Sequence, residues 1–259
     1  MKRLDRLIAE AIKAQITGQQ TSESWQYILQ RLFAEIDADA EIDTSVAARL
    51  KRDFEAQVGK AEKNHKGLPQ FTVDRLRPAL RKKLDERIVQ SLDLIKLRRK
   101  EAISNALARF TGWASSVPDM RAKIDMREVR EHVYKPIAQV KYEARRVAID
   151  QSHKLIAAIN ETIAEDGGAI ALIWRSNWRQ AGYDYRKDHK ERDGKVWIIP
   201  GSWAQKAGFF SAKAPRYDQI THVAEEPYCR CYATFLYHIE DIPKSMLSFK
   251  GLAYLRKAA

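Results

Sequence analysis

Cysteine is nearly absent: the 259 residues hold two, both in the tripeptide Cys229-Arg230-Cys231. Thiols at i and i+2 close onto each other poorly, because a disulfide needs a specific separation and suitable Cβ directions. With no third cysteine, an intrachain disulfide framework is excluded, and reduced thiols fit a cytoplasmic setting. Long apolar runs are lacking too. No stretch approaches the ~20 residues needed to cross a bilayer, and the opening Met1-Lys2-Arg3-Leu4-Asp5-Arg6-Leu7-Ile8-Ala9-Glu10 has no apolar core of signal-peptide length. The expectation is a non-secreted protein without a membrane partner. Acidic residues are the third shortage: 34 Asp and Glu stand against 46 Lys and Arg, a formal net charge of +12. Such a balance suits a polyanionic partner, and equally suits a helical protein kept soluble by a basic surface.

What is present over residues 1 to 165 is mostly helical periodicity. Leu4, Leu7, Ile8, Ala11 and Ile12 recur at helical spacing until Thr17-Gly18. Trp25, Ile28, Leu29, Leu32 and Phe33 predict a second helix, and Val46, Leu50, Phe54 and Val58 a third from about Thr44. Lys63-Asn64-His65-Lys66-Gly67-Leu68-Pro69 reads as a linker. A long helix is then expected from an N-cap at Thr72 to Phe110, with Leu76, Leu80, Leu84, Ile88, Leu92, Ile95, Ile103 and Leu107 as its stripe. Pro78 lies near its start, where a missing N–H is tolerated. Thr111-Gly112 and Ser115-Ser116-Val117-Pro118 are expected to end it. A last long helix is predicted from about Met126 to Ala164, with a kink or a fresh start at Pro136. Asp166-Gly167-Gly168 stops it.

Beyond Gly168 the pattern turns β-like in three short runs: Ala169 to Trp174, Lys195 to Ile199, and Cys229 to Tyr237. The expected fold is mainly α: a long helical N-terminal arm or bundle over 1–165, then a small α+β domain over 166–242 with the helix 126–165 packed on it. Residues 243–259 read as a C-terminal tail.

Several groups could carry chemistry. Residues two apart on a strand face the same way, so Cys229 and Cys231 could meet one partner, with His189 the candidate to join them. His189, Cys229 and Cys231 could then be zinc ligands, with His222 or Asp188 completing the tetrahedron. The alternative is two buried thiols under the sheet, with Arg230 making salt bridges on the opposite face. Asp188, His189 and Asp193 could instead form a metal-dependent nuclease centre, with histidine as general base. Set against that, Asp193-Gly194 is a favoured hairpin connection that His189 could pin. Arg81, Lys82, Lys83, Arg98, Arg99 and Lys100 lie on the long basic helix, which could rest against DNA phosphates or be a solvated face. Trp203, Phe209 and Phe210, in a Gly-flanked loop, are candidate interface aromatics.

The order of these elements resembles the phage head morphogenesis family, the Mu F-like minor capsid proteins. Ala144 to Gln151 stands at that family's helix motif, Leu172-Ile173-Trp174 at its strand, His189 with Asp193-Gly194-Lys195-Val196 at its third element, and Pro227, Cys229, Arg230 and Cys231 at its closing one. The resemblance covers roughly residues 140 to 240. Tyr183-Asp184-Tyr185 replaces the family's Asp-Arg-Thr, Glu226 stands at its histidine, and Tyr228 at its asparagine. The resemblance implies a non-enzymatic minor structural protein of a tailed-phage head, in the capsid interior of the virion and in host cytoplasm during assembly. It implies a portal protein as partner, packaged double-stranded DNA held without sequence preference, and further capsid or scaffold proteins. It implies roles in procapsid assembly, DNA packaging or ejection. The alternative function is the metal-dependent nuclease or other DNA-processing enzyme centred on Asp188, His189 and Asp193. No cofactor is required by either composition or resemblance, zinc being the one candidate.

Overall fold

A computed structural model describes residues 34, 40–61, 65–66, 68–116, 127, 131 and 135–258. The helices expected over 4–12 and 25–33, and the stretch 117–134 apart from residues 127 and 131, lie outside the described residues. Within them the protein is mainly helical, with one small antiparallel sheet. The elements are α1 (Ala40–Val58), α2 (Gln70–Ser116), α3 (Lys135–Asp166), β1 (Ala171–Arg175), α4 (Lys187–Arg192), β2 (Val196–Ile198), α5 (Trp203–Lys206), β3 (Tyr232–Leu236) and α6 (Phe249–Ala258). The chain divides into two compact units, residues 1–47 with 89–147, and residues 48–88 with 148–259. The second unit carries every site residue discussed below except those at 98–100.

Whether the chain kinks or starts afresh at Pro136 falls on 132–134, outside the described residues. α2 outruns the expected stop at Thr111-Gly112 and continues to Ser116; a single glycine costs a helix only ~1 kcal/mol. It also begins at Gln70, before Thr72, whose N–H bonds the Pro69 carbonyl at 3.0 Å.

The sheet order is β2-β1-β3, both pairings antiparallel, with Leu172 opposite Trp197 and Phe235. Period-two alternation gives the sheet two buried faces. Leu172, Trp174, Ala233 and Phe235 share one cluster with Ala164 of α3, Cys229 and Cys231. Ala171 and Ile198 belong to another, built with Phe209, Ile239, Met246 and Leu247. That second cluster corrects the expected tail: residues 244–258 hold a 3-10 turn and α6, and Leu252 and Leu255 pack against the cluster. Gly251 permits the approach, because a Cβ there would run into the Phe209 carbonyl. The early part of the unit is likewise integral to the C-terminal core rather than an arm. Leu50, Phe54 and Val58 of α1 and Leu80 of α2 are fully buried, as are Leu155, Ile159 and Ile163 of α3.

The linker after α1 is also part of this core. His65 is 1% exposed and its ring stacks on Phe235 at 5.1 Å, nearly parallel. Its Nδ1 lies 2.6 Å from the Tyr237 hydroxyl and its Nε2 3.1 Å from Asn160 Oδ1. Since an amide oxygen only accepts, Nε2 carries the proton and Nδ1 accepts from tyrosine. The Gln57 amide donates to the same Asn160 oxygen at 2.8 Å. This network binds three chain segments, and nothing in the linker's composition signals it.

Burial lowers the His65 pKa from 6.5 to about 4, against the raising effect of the Asn160 hydrogen bond. Between those values the unfolded chain binds the proton and the folded one does not. Stability is therefore full above about pH 6.5 and falls as pH drops toward 4, by on the order of 3 kcal/mol from this group. Half-buried His153, also lowered by burial, adds in the same direction. Urea unfolding of the wild type is expected to weaken markedly between pH 7.5 and 4.5, and that of His65→Gln to weaken less. Equal losses in the two proteins would remove His65 as the cause.

Candidate functional site

The chain between β1 and β2 spans residues 176–195, too long for the two-residue hairpin that Asp193-Gly194 suggested. It instead builds α4, which ends in a left-handed glycine, Gly194 at φ +76°, the common helix stop. Asp193 sits at that stop and holds the far end of the loop. Its Oδ1 accepts the Ser176 N–H at 2.9 Å and its Oδ2 the Trp178 indole N–H at 3.0 Å. Burial would raise this carboxyl, but the two donors outweigh it and hold the pKa below its usual value. α4 thereby carries His189 inward, 1% exposed, edge-on to the buried Trp174 ring at 5.2 Å.

The thiols arrive on a turn. Glu226-Pro227-Tyr228-Cys229 closes with the Cys229 N–H on the Glu226 carbonyl at 3.1 Å, and Tyr228 takes φ +60°. Proline second and a left-handed residue third is the type II pattern, which favours glycine or asparagine at the third place. Tyr228 is held there from outside: its N–H donates to Asp150 Oδ1 of α3 at 2.5 Å, and Lys154 lies 3.2 Å from the other carboxylate oxygen. Arg186, just before α4, ties helix to turn, with Nη2 donating to the Pro227 carbonyl at 3.1 Å and Nε 2.8 Å from Glu226. The Arg230 backbone is clamped by Asn177 and by the Tyr183 hydroxyl, and its guanidinium lies 5.0 Å over the Tyr183 ring. The expected salt bridges of Arg230 give way to this cation–π contact.

Together these supports bring His189 Nδ1 to 3.5 Å from both Cys229 Sγ and Cys231 Sγ. All three side chains are buried, and their ligand atoms lie within 4.8 Å of one another. The Cys231 thiol donates to Cys229 and lowers the Cys229 pKa to about 6 against the effect of burial. Cys231 itself is pushed up by holding that proton. On the other side of the ring, Glu226 Oε2 lies 3.0 Å from His189 Nε2, off the line of a hydrogen bond.

The other expected members fall elsewhere. Asp188 is on the Nε2 side, 3.8 Å away and 53% exposed, and pairs with Arg192 at 2.7 Å. His222 stacks on Tyr217 and faces Glu161 at 3.6 Å. Neither joins the thiols, and Asp193 is spent on the loop. Of the aromatic trio, Trp203 is 45% exposed, but Phe209 is 9% exposed and packs on Tyr254 at 4.9 Å, and Phe210 is half-buried. Phe209 thus serves the core rather than a contact surface, because α6 covers it. Arg81, Lys82 and Lys83 are exposed in the second unit and Arg98 and Lys100 in the first; the Arg99 side chain lies outside the described residues. Arg81 contacts Glu55 and Arg98 contacts Glu101. A cavity of about 240 Å³ beside β3 is lined by His153, Asn160, Asn177, Arg230 and Cys231 among others.

No family model, curated protein or solved structure matches the chain.

The roles of Asp150 and Glu226 were missed by sequence reasoning, because a single carboxylate on a helix or in a turn carries no signal of its own. The left-handed backbone of Tyr228 was missed as well, although Pro-Tyr after Glu226 carries the type II turn pattern. Left-handed backbone costs a residue with a Cβ roughly 1–2 kcal/mol. Tyr228→Gly is therefore expected to be more stable than Tyr228→Ala by about 1 kcal/mol in thermal or urea unfolding, a comparison in which both variants lose the ring. Equal stabilities would show the turn carries no such strain.

Proposed function

We propose that this chain is a minor structural protein of a tailed-phage head, held in the capsid interior beside the portal. The observation that supports this reading is the meeting of His189 with Cys229 and Cys231, forty residues apart in sequence and in contact in space. Those residues carry the resemblance to the Mu F-like family, and they lie in one compact unit in the order that resemblance requires. The surroundings favour a framework role. A nuclease base must reach a water or a substrate proton, whereas the His189 ring is 1% exposed and both Asp193 oxygens are occupied by donors.

DNA is the second partner in this proposal. Exposed Arg81, Lys82, Lys83, Arg98 and Lys100 offer cations to phosphates, with no base-reading element among the described residues. Such contact is non-specific and weakens with salt, by a log–log slope of roughly −0.9 for each phosphate neutralised.

The portal protein of the same phage, co-expressed with this chain, is expected to co-sediment with it at low and moderate salt. Absence of association at both would remove the capsid assignment. Binding to a random duplex should show a steep salt slope. Replacing Arg81, Lys82, Lys83, Arg98, Arg99 and Lys100 with glutamine should flatten it by about two units or more. An unchanged slope would place DNA contact elsewhere on the chain.

A further inference from the structure

Among the described residues six buried side-chain polar atoms have no hydrogen-bond partner, and two of them, Trp174 Nε1 and Ser176 Oγ, lie beside Cys231. Native interiors leave few such atoms unpaired, and each calls for an explanation such as an ion or a water. Trp174 and Ser176 stand beside Cys231, yet neither closes a hydrogen bond of normal geometry. Both sulfurs lie at the same 3.5 Å from one imidazole nitrogen, and that nitrogen has a single in-plane lone pair to offer. One ion placed between the three atoms can satisfy all of them.

We propose that His189 Nδ1 and the thiolates of Cys229 and Cys231 bind one zinc ion, with Glu226 as the positioning carboxylate on the far side of the ring. Tetrahedral bonds of about 2.05 Å to nitrogen and 2.3 Å to sulfur put those ligand atoms about 3.6 Å apart. The observed 3.5 Å agrees. Two thiolates cancel the charge of the ion, so the buried centre is neutral and escapes most of the cost of burying a charge. With Nδ1 on the metal the ring proton must sit on Nε2, facing Glu226 at 3.0 Å. A small turn of the ring onto the metal would align that N–H with the carboxylate and complete the carboxylate–histidine–metal arrangement, which strengthens the ring as a ligand. Arg186 at 2.8 Å holds the carboxylate in turn. Water takes the fourth place, with the cavity that Cys231 also lines as its route. The metal would link α4 to the turn before β3, two elements otherwise joined by a few polar contacts.

This inference rests on these side chains alone and is independent of the capsid assignment, since metal content is measured without any partner. The full chain, purified without chelator and dialysed against zinc, is expected to hold about one zinc per chain by elemental analysis. Exchange with Co²⁺ should give the intense near-ultraviolet bands of sulfur-to-cobalt charge transfer. Glu226→Gln should keep the ion with an affinity roughly 10–100-fold weaker in competition with a chromophoric chelator. The double variant Cys229→Ser, Cys231→Ser should hold none. Folded wild-type chain with well under one zinc after dialysis, a cobalt form without thiolate bands, or equal zinc in the double variant would each overturn the proposal. An unweakened Glu226→Gln would overturn the role of the carboxylate.

Discussion

An imidazole held at 3.5 Å from two sulfurs, all three side chains buried, constrains everything around it. Neither α4, six residues long, nor the four-residue turn before β3 could hold such a position alone, because isolated helices and turns of this size are marginal in water. Each is fixed from several sides. Asp193 ties the loop between β1 and β2 to its own start, Arg186 ties α4 to the turn, and Asp150 of α3 receives the N–H of a tyrosine in left-handed backbone. The strain at Tyr228 persists because the contacts that impose it are buried and charged. Such strain is retained where surrounding structure over-determines it.

The electrostatics of the region follow from the same requirement. Glu226 and Arg186 meet at 2.8 Å, and Asp150 is matched by Lys154 at 3.2 Å. Asp150 is 7% exposed, so removing either its cation or its N–H donor would leave a buried charge short of partners, a costly outcome. Glu226 places a carboxylate 3.0 Å from His189 Nε2, off the line of a hydrogen bond. A carboxylate there explains why Arg186 stands just before α4, since it neutralises the acid and grips the adjacent carbonyl.

Much of this was legible in the sequence, for reasons that differ by element. The three strands were read from short apolar runs: β2 and β3 lie within their expected spans, β1 runs one residue past its own to Arg175, and the cysteines expected on the third strand precede it. α2 and α3 were read from apolar stripes, and Leu80, Leu84 and Ile95 are buried as those stripes require. Asp193-Gly194 misled because the same dipeptide that makes a hairpin also stops a helix; only the distance between β1 and β2 separates the two. Phe209 misled because glycine neighbours suggest an exposed loop, while the helix that covers it lies forty residues on, in what looked like a tail. His65 was illegible: a histidine among lysines and asparagine reads as solvated, and only β3 and α3, more than ninety residues away, make its site.

Those long-range contacts decide what the folding unit is. Composition shifts at Gly167-Gly168, and the natural cut is there, yet the core does not respect it. Tyr237 and Phe235 of the C-terminal segment close over His65, and Cβ at Gly167 would meet Leu68 and Tyr237 together. A fragment beginning at residue 166 would bare one face of the sheet and leave the Tyr237 hydroxyl and the Asp150-bound turn without their partners. Since burying an apolar face and satisfying buried polar groups are joint conditions for a stable sheet, the α1–α2 connection and α3 belong to the same cooperative unit as the thiol pair. The basic residues at 81–83 lie in that unit as well, so an anion held there would be held by the structure that positions His189, Cys229 and Cys231.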